Sequence, residues 1–380
     1  MPKRQPHLIV NRRQVLQRLA AGITLSGGYI LYEYQPWLNY DRQAQNTWKS
    51  LKQESVMSAQ LRELVHSATL AASGHNTQPW LFAIKENTIE IHPDYTRRLP
   101  IVDPRDRELW ISLGCALENL LVAARASGYA PEVTYPDPAD FIHVRLTPDT
   151  AQTSPLLAAI PLRHNTRSAY DGQTIKSDAL KQVQFVPLEP GVVVRFILNP
   201  QELNTVVEYV DRGNQSQFAE REARHQGGRA FVNELTTWIR FNQKEALATL
   251  DGLYSPCSGN PQVPRWLGKM VVGGTKPQQQ ADADAKKLRS SAGVVVIAAE
   301  SDNKTVWVRI GQVYERLALQ MAAVEIKSAF LNQPIEVAAL RGQFQSAIGL
   351  GNALPQLLIR FGYGKSMPQS LRRSVEQVLI

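Results

Sequence analysis

Trp110-Ile111-Ser112-Leu113-Gly114-Cys115-Ala116-Leu117-Glu118-Asn119-Leu120 recurs in outline as Trp307-Val308-Arg309-Ile310-Gly311-Gln312-Val313-Tyr314-Glu315-Arg316-Leu317, a constant spacing of 197 residues (307 minus 110). Tryptophan, glycine and glutamate at i, i+4 and i+8 lie along one stripe of a helix. A glycine in the middle of that stripe lets another helix backbone come close. Each copy opens a long apolar helical pattern and follows a strand-like segment, Leu81 to Ile91 in the first case and Gly293 to Ala299 in the second. Shared helix preference also produces matches of this kind, but the same order of strand and helix in both copies predicts a duplicated architecture. The expectation is an α+β fold of two fused half-repeats, a pseudo-dimer within one chain, with antiparallel sheets and long central helices.

Working outward, residues 58–150 make the first repeat and 151–380 the second, with a lid-like insertion around 213–288. Residues 141–147 and 191–198 read as strands, Gln201 to Arg212 as a helix, and Gln217 to Leu250 as charged helical material. The stretch from Gly252 to Pro277 is rich in glycine and proline, and a loop of that length inside a domain is usually functional.

Four short segments carry chemistry. Ser73-Gly74-His75-Asn76-Thr77-Gln78-Pro79-Trp80 places hydroxyl and amide groups in a turn at the mouth of a strand. Arg163-His164-Asn165-Thr166-Arg167 sets two guanidinium groups four residues apart, suited to the oxygens of a phosphate. Gln333-Pro334-Ile335-Glu336 follows the second long helix, and Ser370-Leu371-Arg372-Arg373 follows a strand-like stretch, Leu357 to Tyr363. Taken singly, these read as a capping loop, surface ion pairs and solvated charges.

Together and in this order, they resemble the flavin nitroreductases. S-G-H-N-T-Q-P-W is similar to that family's S-x-x-N-x-Q-P-W loop, which reaches the flavin from the neighbouring subunit. R-H-N-T-R is similar to the R-[RH]-S-x-[RK] signature, with Asn165 in place of the usual serine. The P-I-E loop carries Val337 where the family has glycine. The resemblance spans roughly residues 60 to 375 and is nearest to the Acg-like subgroup, which fuses two halves and covers the flavin with a lid. It implies FMN as the cofactor, held by Ser73, Asn76, Gln78, Arg163, His164, Asn165, Arg167, Pro334, Glu336, Arg372 and Arg373. It implies hydride or electron transfer through one FMN to a small electron-poor acceptor. An FMN-sequestering protein with little turnover and a flavin-degrading enzyme are the alternatives. The mirror site is broken: no R-x-x-x-R cluster precedes residue 60, and the second-half echo of the loop, Asn260 to Trp266, has disrupted spacing. The expected state is a monomer.

Composition agrees with a globular protein: 43% hydrophobic and 20% charged residues exclude both disorder and a polytopic membrane protein. The formal charge of +8 is scattered, without the basic runs and interleaved aromatics of a nucleic-acid groove, and would suit a bound phosphate. Seven scattered histidines form no metal motif, and Cys115 and Cys257 are expected as free thiols. The first 40 residues differ from the rest. Lys3 and Arg4 lead to Asn11-Arg12-Arg13-Gln14-Val15-Leu16 and a mildly apolar stretch from Leu19 to Tyr32, which looks like a twin-arginine export signal. The expectation is passage through the twin-arginine machinery to a periplasmic or exported location, with an uncleaved anchor as one form; a basic amphipathic helix is the alternative.

Overall fold

A computed structural model describes residues 35, 38–49, 57–135, 140–223 and 227–380. The twin-arginine segment at Arg12 and Arg13 lies outside the described residues. Two antiparallel four-stranded sheets dominate. The first holds β1 (Trp80–Lys85), β2 (Thr88–Pro93), β3 (Tyr129–Thr134) and β4 (Ile142–Pro148) in the order β1-β2-β4-β3. In the second half, β5 (Val192–Ile197) comes first, and β6 (Ile239–Arg240) pairs with β7 (Leu253–Tyr254) in a short parallel ribbon. With β8 (Gly293–Ala299), β9 (Lys327–Phe330) and β10 (Leu354–Gly362), β5 builds the second sheet, ordered β5-β8-β10-β9. The two orders are the same once the strands are numbered within each four-stranded sheet.

The long helices cross between the sheets. The helix Arg107–Ala126 is buried along nearly its whole length, and Lys304–Ala323 packs against it. Among the described residues Arg107–Ala126 is the one helix long and apolar enough to cross a membrane, and it is a core helix. Its stripe glycine decides the crossing. A Cβ built on Gly114 would lie 2.0 Å from the carbonyl oxygen of Val308, and one on Gly311 would lie 2.0 Å from that of Ile111. Val308 stands 197 residues beyond Ile111, so the two contacts mirror each other. Trp110, Leu113, Leu117, Val308, Ile310 and Val313 fill the core around them.

The segment 81–91, read from sequence as one strand, is the hairpin β1–β2; the chain turns at Glu86, in the left-handed region at φ 50°. The helix expected to end near Arg212 runs to Ala223 as Pro200–Ala223. The stretch Gly252 to Pro277, expected as a loop, contains the helix Arg265–Gly274 and is followed by the helix Pro277–Arg289. Both cysteines are buried free thiols, as read from sequence.

Candidate functional site

Segments far apart in sequence meet at a narrow cavity of about 50 Å³. Ser73 and Asn76 line it from the first half; Arg163, His164, Asn165, Arg167 and Arg372 line it from the second. Leu253, Cys257, Ser258 and Pro368 close it, with Trp48 beside them. A wider surface groove of about 530 Å³ lies beside β5, and the one charged side chain on its wall among the described residues, Arg195, is already paired with Glu202. Converging unpaired charge therefore belongs to the smaller space.

The loop 73–78 is held in an unusual backbone conformation. His75, Asn76 and Gln78 take φ of 48°, 54° and 53°, a left-handed geometry that costs free energy in residues other than glycine. Hydrogen bonds hold it there. Asn76 donates from Nδ2 to the carbonyls of Gly252 (3.0 Å) and Leu371 (3.2 Å), and its own carbonyl accepts from Gly252 N–H (3.1 Å). At φ 76°, with a virtual Cβ 2.4 Å from the Trp238 oxygen, position 252 requires glycine. Asp251 next to it is ion-paired to Arg97 and Arg240, so this corner is fixed.

Arg163 is 4% exposed; its Nε lies 2.8 Å from Glu315 Oε1, and its terminal nitrogen donates to the Leu70 carbonyl at 3.0 Å. Burial opposes its charge, but the Glu315 carboxylate together with Tyr314 and Cys115 outweighs burial and keeps it protonated. Glu315 is the last member of the repeated stripe, and its counterpart Glu118 likewise takes an arginine, Arg316, at 2.7 Å. Arg372 lies over the Trp48 ring at 5.0 Å and donates to the carbonyls of Leu371 (3.0 Å) and Ala71 (3.2 Å). Burial, and then repulsion from Arg163, pull its pKa down to about 9. Arg167 is lowered too, first by burial, and donates to Ser258 Oγ at 3.2 Å. Among the described residues no Asp or Glu lines the cavity. Among the described residues Glu315 is the one carboxylate ion-paired to any of these three arginines. The guanidinium groups of Arg167 and Arg372 have no carboxylate of the described residues within ion-pair distance.

The neutral groups are also oriented. His164 Nδ1 lies 2.9 Å from the Leu162 carbonyl, which can only accept, so Nδ1 carries the hydrogen and Nε2 presents a lone pair. Burial pushes the ring pKa down to about 4, which keeps it neutral. Tyr314 donates to Asn165 Oδ1 at 3.2 Å, leaving the Asn165 amide nitrogen to donate elsewhere. His164 Nε2, Asn76 Oδ1 and Arg372 Nε are buried without a hydrogen-bond partner. Such atoms are costly unless a ligand satisfies them.

Four of the residues expected at the site do not line the cavity. Gln78 and Arg373 are used on each other. The fully buried Gln78 accepts from Arg373 N–H at 2.8 Å and donates to the Leu250 carbonyl at 2.9 Å, while Arg373 donates to the carbonyls of Gln78 (2.6 Å) and Trp80 (2.8 Å). Pro334 and Glu336 sit on the short helix Gln333–Glu336, packed against Pro200–Ala223. Glu336 accepts from Gln217 Nε2 at 2.8 Å and faces Glu108, Asp103 and Arg107. Burial, and then repulsion from the neighbouring carboxylate, push Asp103 and Glu108 up to about 7. This buried acid cluster had not been singled out from sequence. Asn260 to Trp266 is no counterpart of the 73–80 loop: it opens the helix Arg265–Gly274 with Trp266 exposed, whereas Trp80 is fully buried as the first residue of β1.

The chain is similar to nitroreductases. A Mycobacterium tuberculosis protein provisionally named NAD(P)H nitroreductase Rv3131 is 25% identical over 330 residues, covering 84% of this chain and 90% of its own length. A second protein of that organism, provisionally named NAD(P)H nitroreductase acg, is 32% identical over 85 residues, 22% of this chain and 26% of its own. No protein-family model matches. Among solved structures, a provisionally named nitroreductase of Anabaena variabilis has a TM-score of 0.41 at 10% identity, covering 85% of this chain and 91% of its own. A nitroreductase with bound FMN from Bacteroides fragilis has a TM-score of 0.32 at 15% identity, covering 56% of this chain and 90% of its own.

Sequence reasoning missed Trp48, Cys257, Ser258 and Glu315 as members of the site's surroundings. The repeated glutamate was a usable signal for Glu315. The others come from segments without a local motif.

Proposed function

We propose that this chain is an FMN-dependent oxidoreductase of the nitroreductase type, in which two half-repeats form an internal pseudo-dimer around one flavin. The observation that carries the reading is the convergence of Arg163, Arg167 and Arg372 on one cavity with a single carboxylate among them. The similarity over 84% of the chain to a provisionally named NAD(P)H nitroreductase supports it.

The donor set fits the phosphate end of FMN. Two uncompensated guanidinium charges match a phosphate dianion, and charge-assisted bonds to it would relieve the repulsion between Arg163 and Arg372. The lone pair on His164 Nε2 suits a hydroxyl donor such as those of the ribityl chain, as does the Asn76 Oδ1 acceptor. A space of about 50 Å³ takes a phosphate-sized group, whereas pockets for whole cofactors run from roughly 300 Å³ upward. Loading the complete cofactor therefore requires Leu253, Cys257 and Ser258 to move outward, which gives the insertion its role as a lid.

Bound FMN would supply the hydride and electron chemistry. The chain's part is to bind and orient it. Arg163 and Arg372 hold the phosphate, and Ser73 and Asn76 bring the first half onto the same ligand. Arg167, held where burial disfavours its charge, gains from an anion beside it. Gln78 and Arg373 position the loop and the tail without touching the cofactor. A small electron-poor acceptor is the proposed substrate class.

The purified protein should carry a flavin absorbance that NADH or NADPH bleaches anaerobically and a nitroaromatic or quinone restores. Absence of any flavin after loading would remove the cofactor assignment. Bleaching by dithionite alone would support sequestration instead. We also propose export by the twin-arginine route, supported by Arg12, Arg13 and the apolar run that follows. Replacing both arginines with lysine should hold the protein in the cytoplasm, and unchanged fractionation would count against that route.

A further inference from the structure

We propose that the outward face of the helix Arg265–Gly274 is a membrane-surface contact that lies on a bilayer with anionic headgroups. Trp266, Met270 and Val271 are 60%, 60% and 59% exposed, and Trp266 and Met270 stand one turn apart on the same stripe. Three large apolar side chains together on a ten-residue helix make a patch, not scattered exposure. The opposite face is already occupied. A Cβ on Gly268 would lie 2.1 Å from the Phe241 ring, and Arg265 turns inward to Glu245 at 3.1 Å and to the carbonyl of Thr236 at 3.1 Å. A Cβ built on Gly273 or Gly274 meets nothing within 4 Å, so the end of the helix is open surface.

Charge selects the occupant. From Gly252 to Ala281 the chain has no Asp or Glu, while Arg265, Lys269 and Lys276 are basic. Arg265 is spent on Glu245, and Lys269 and Lys276 are exposed beside the apolar patch. Tryptophan favours the headgroup boundary, methionine and valine the acyl region beneath it, and lysines of this kind reach anionic phosphates while their stems lie on apolar surface. A short helix fixed through Gly268 presents these groups together.

The test uses the full chain carrying Met270→Cys labelled with an environment-sensitive dye, since Cys115 and Cys257 are buried. With vesicles of phosphatidylglycerol and phosphatidylcholine, the emission should shift to the blue and be quenched by brominated acyl chains. The shift should vanish with phosphatidylcholine alone or at high salt. Adding Lys269→Glu and Lys276→Glu should weaken the partition by at least about tenfold. Flavin content and melting temperature, unchanged in these variants, check that the fold is intact. Water-like emission from a chain that co-sediments with the vesicles would overturn the proposal. So would a blue shift that grows with protein concentration without vesicles, because a second copy would then cover the face.

Discussion

Arg163 does two jobs, and separating them decides how the site is tested. Removing its guanidinium would leave Glu315 buried and unpaired, a change that costs about 3–5 kcal/mol of stability. Arg163→Ala should therefore lose both FMN and melting temperature, while adding Glu315→Gln should restore most of the stability and leave FMN binding weak. Arg372 neutralises no carboxylate within ion-pair distance, so Arg372→Ala should raise the FMN dissociation constant by about 10- to 100-fold, the worth of a charge-assisted bond, with little change in melting. Titration of the two variants beside thermal melts checks both; an unchanged affinity in Arg372→Ala would take it out of the site. The acid cluster gives a pH signature. Glu108, pushed up to about 7, binds a proton in the folded state between roughly pH 4.5 and 7 that the unfolded chain has released. Its contribution is fully present below pH 4.5 and is lost as pH rises through 7. His75 and His164, held near 4, act in the opposite direction between about 4 and 6.5. Glu108→Gln should remove roughly 2–3 kcal/mol of pH-dependent loss between pH 5 and 8 and also relieve the repulsion on Asp103, so the difference between its melting curve and the parent's reports the acid cluster. Parallel curves would place the proton elsewhere.

Among the elements, the two long helices were legible because tryptophan, glycine and glutamate repeat at helical spacing. The structure gives the glycines their reason. At Gly114 a methyl group would overlap the Val308 carbonyl, and the helix cannot move away without opening the core around Trp110 and Ile310. Gly114→Ala should cost about 3 kcal/mol or more, and Gly311→Ala about the same, because the contacts mirror each other. Denaturant melts check this, and a loss below about 0.5 kcal/mol at either position would mean that the helices slide past each other freely. Other elements were hidden by local chemistry. The β1–β2 turn has neither glycine nor proline, so alternation seemed to run through Glu86. Gly268, Gly273 and Gly274 depress the helix signal of 265–274, although Gly268 is there to let the helix sit on Phe241. The site divides in the same way. Arginine, histidine and asparagine in one short segment announce their chemistry, but no local pattern tells that Gln78 will brace Arg373, or that Trp48 will lie under Arg372.

Across the whole molecule the halves agree in sheet order and in the helix crossing, and they differ in electrostatics. Beside Glu315 stand Arg163 and Arg372, with Arg167 on the same cavity, reached by the loop of the other half. Around Glu118 stands Arg316, which is also held by Glu189 at 2.9 Å and by the Pro187 carbonyl at 2.6 Å. One arginine facing two carboxylates leaves a net negative charge, which repels a phosphate dianion, whereas three arginines on one cavity with a single ion-paired carboxylate attract it. The tail adds a second asymmetry. Leu379 bridges to Phe82 and Ile380 N–H donates to the Phe82 carbonyl at 2.9 Å, so the end of the second half closes the outer edge of β1 and draws Arg372 towards the 73–78 loop on the way. Both differences point to one cofactor per chain. Titration with FMN, followed by flavin fluorescence quenching and by calorimetry, should saturate at one equivalent. Arg372→Ala should weaken that single event, and Arg316→Ala should leave it unchanged, because Arg316 serves only the counterpart position. A second equivalent bound with comparable affinity would overturn the single-site reading, since it would require a phosphate to settle beside Glu118 and Glu189.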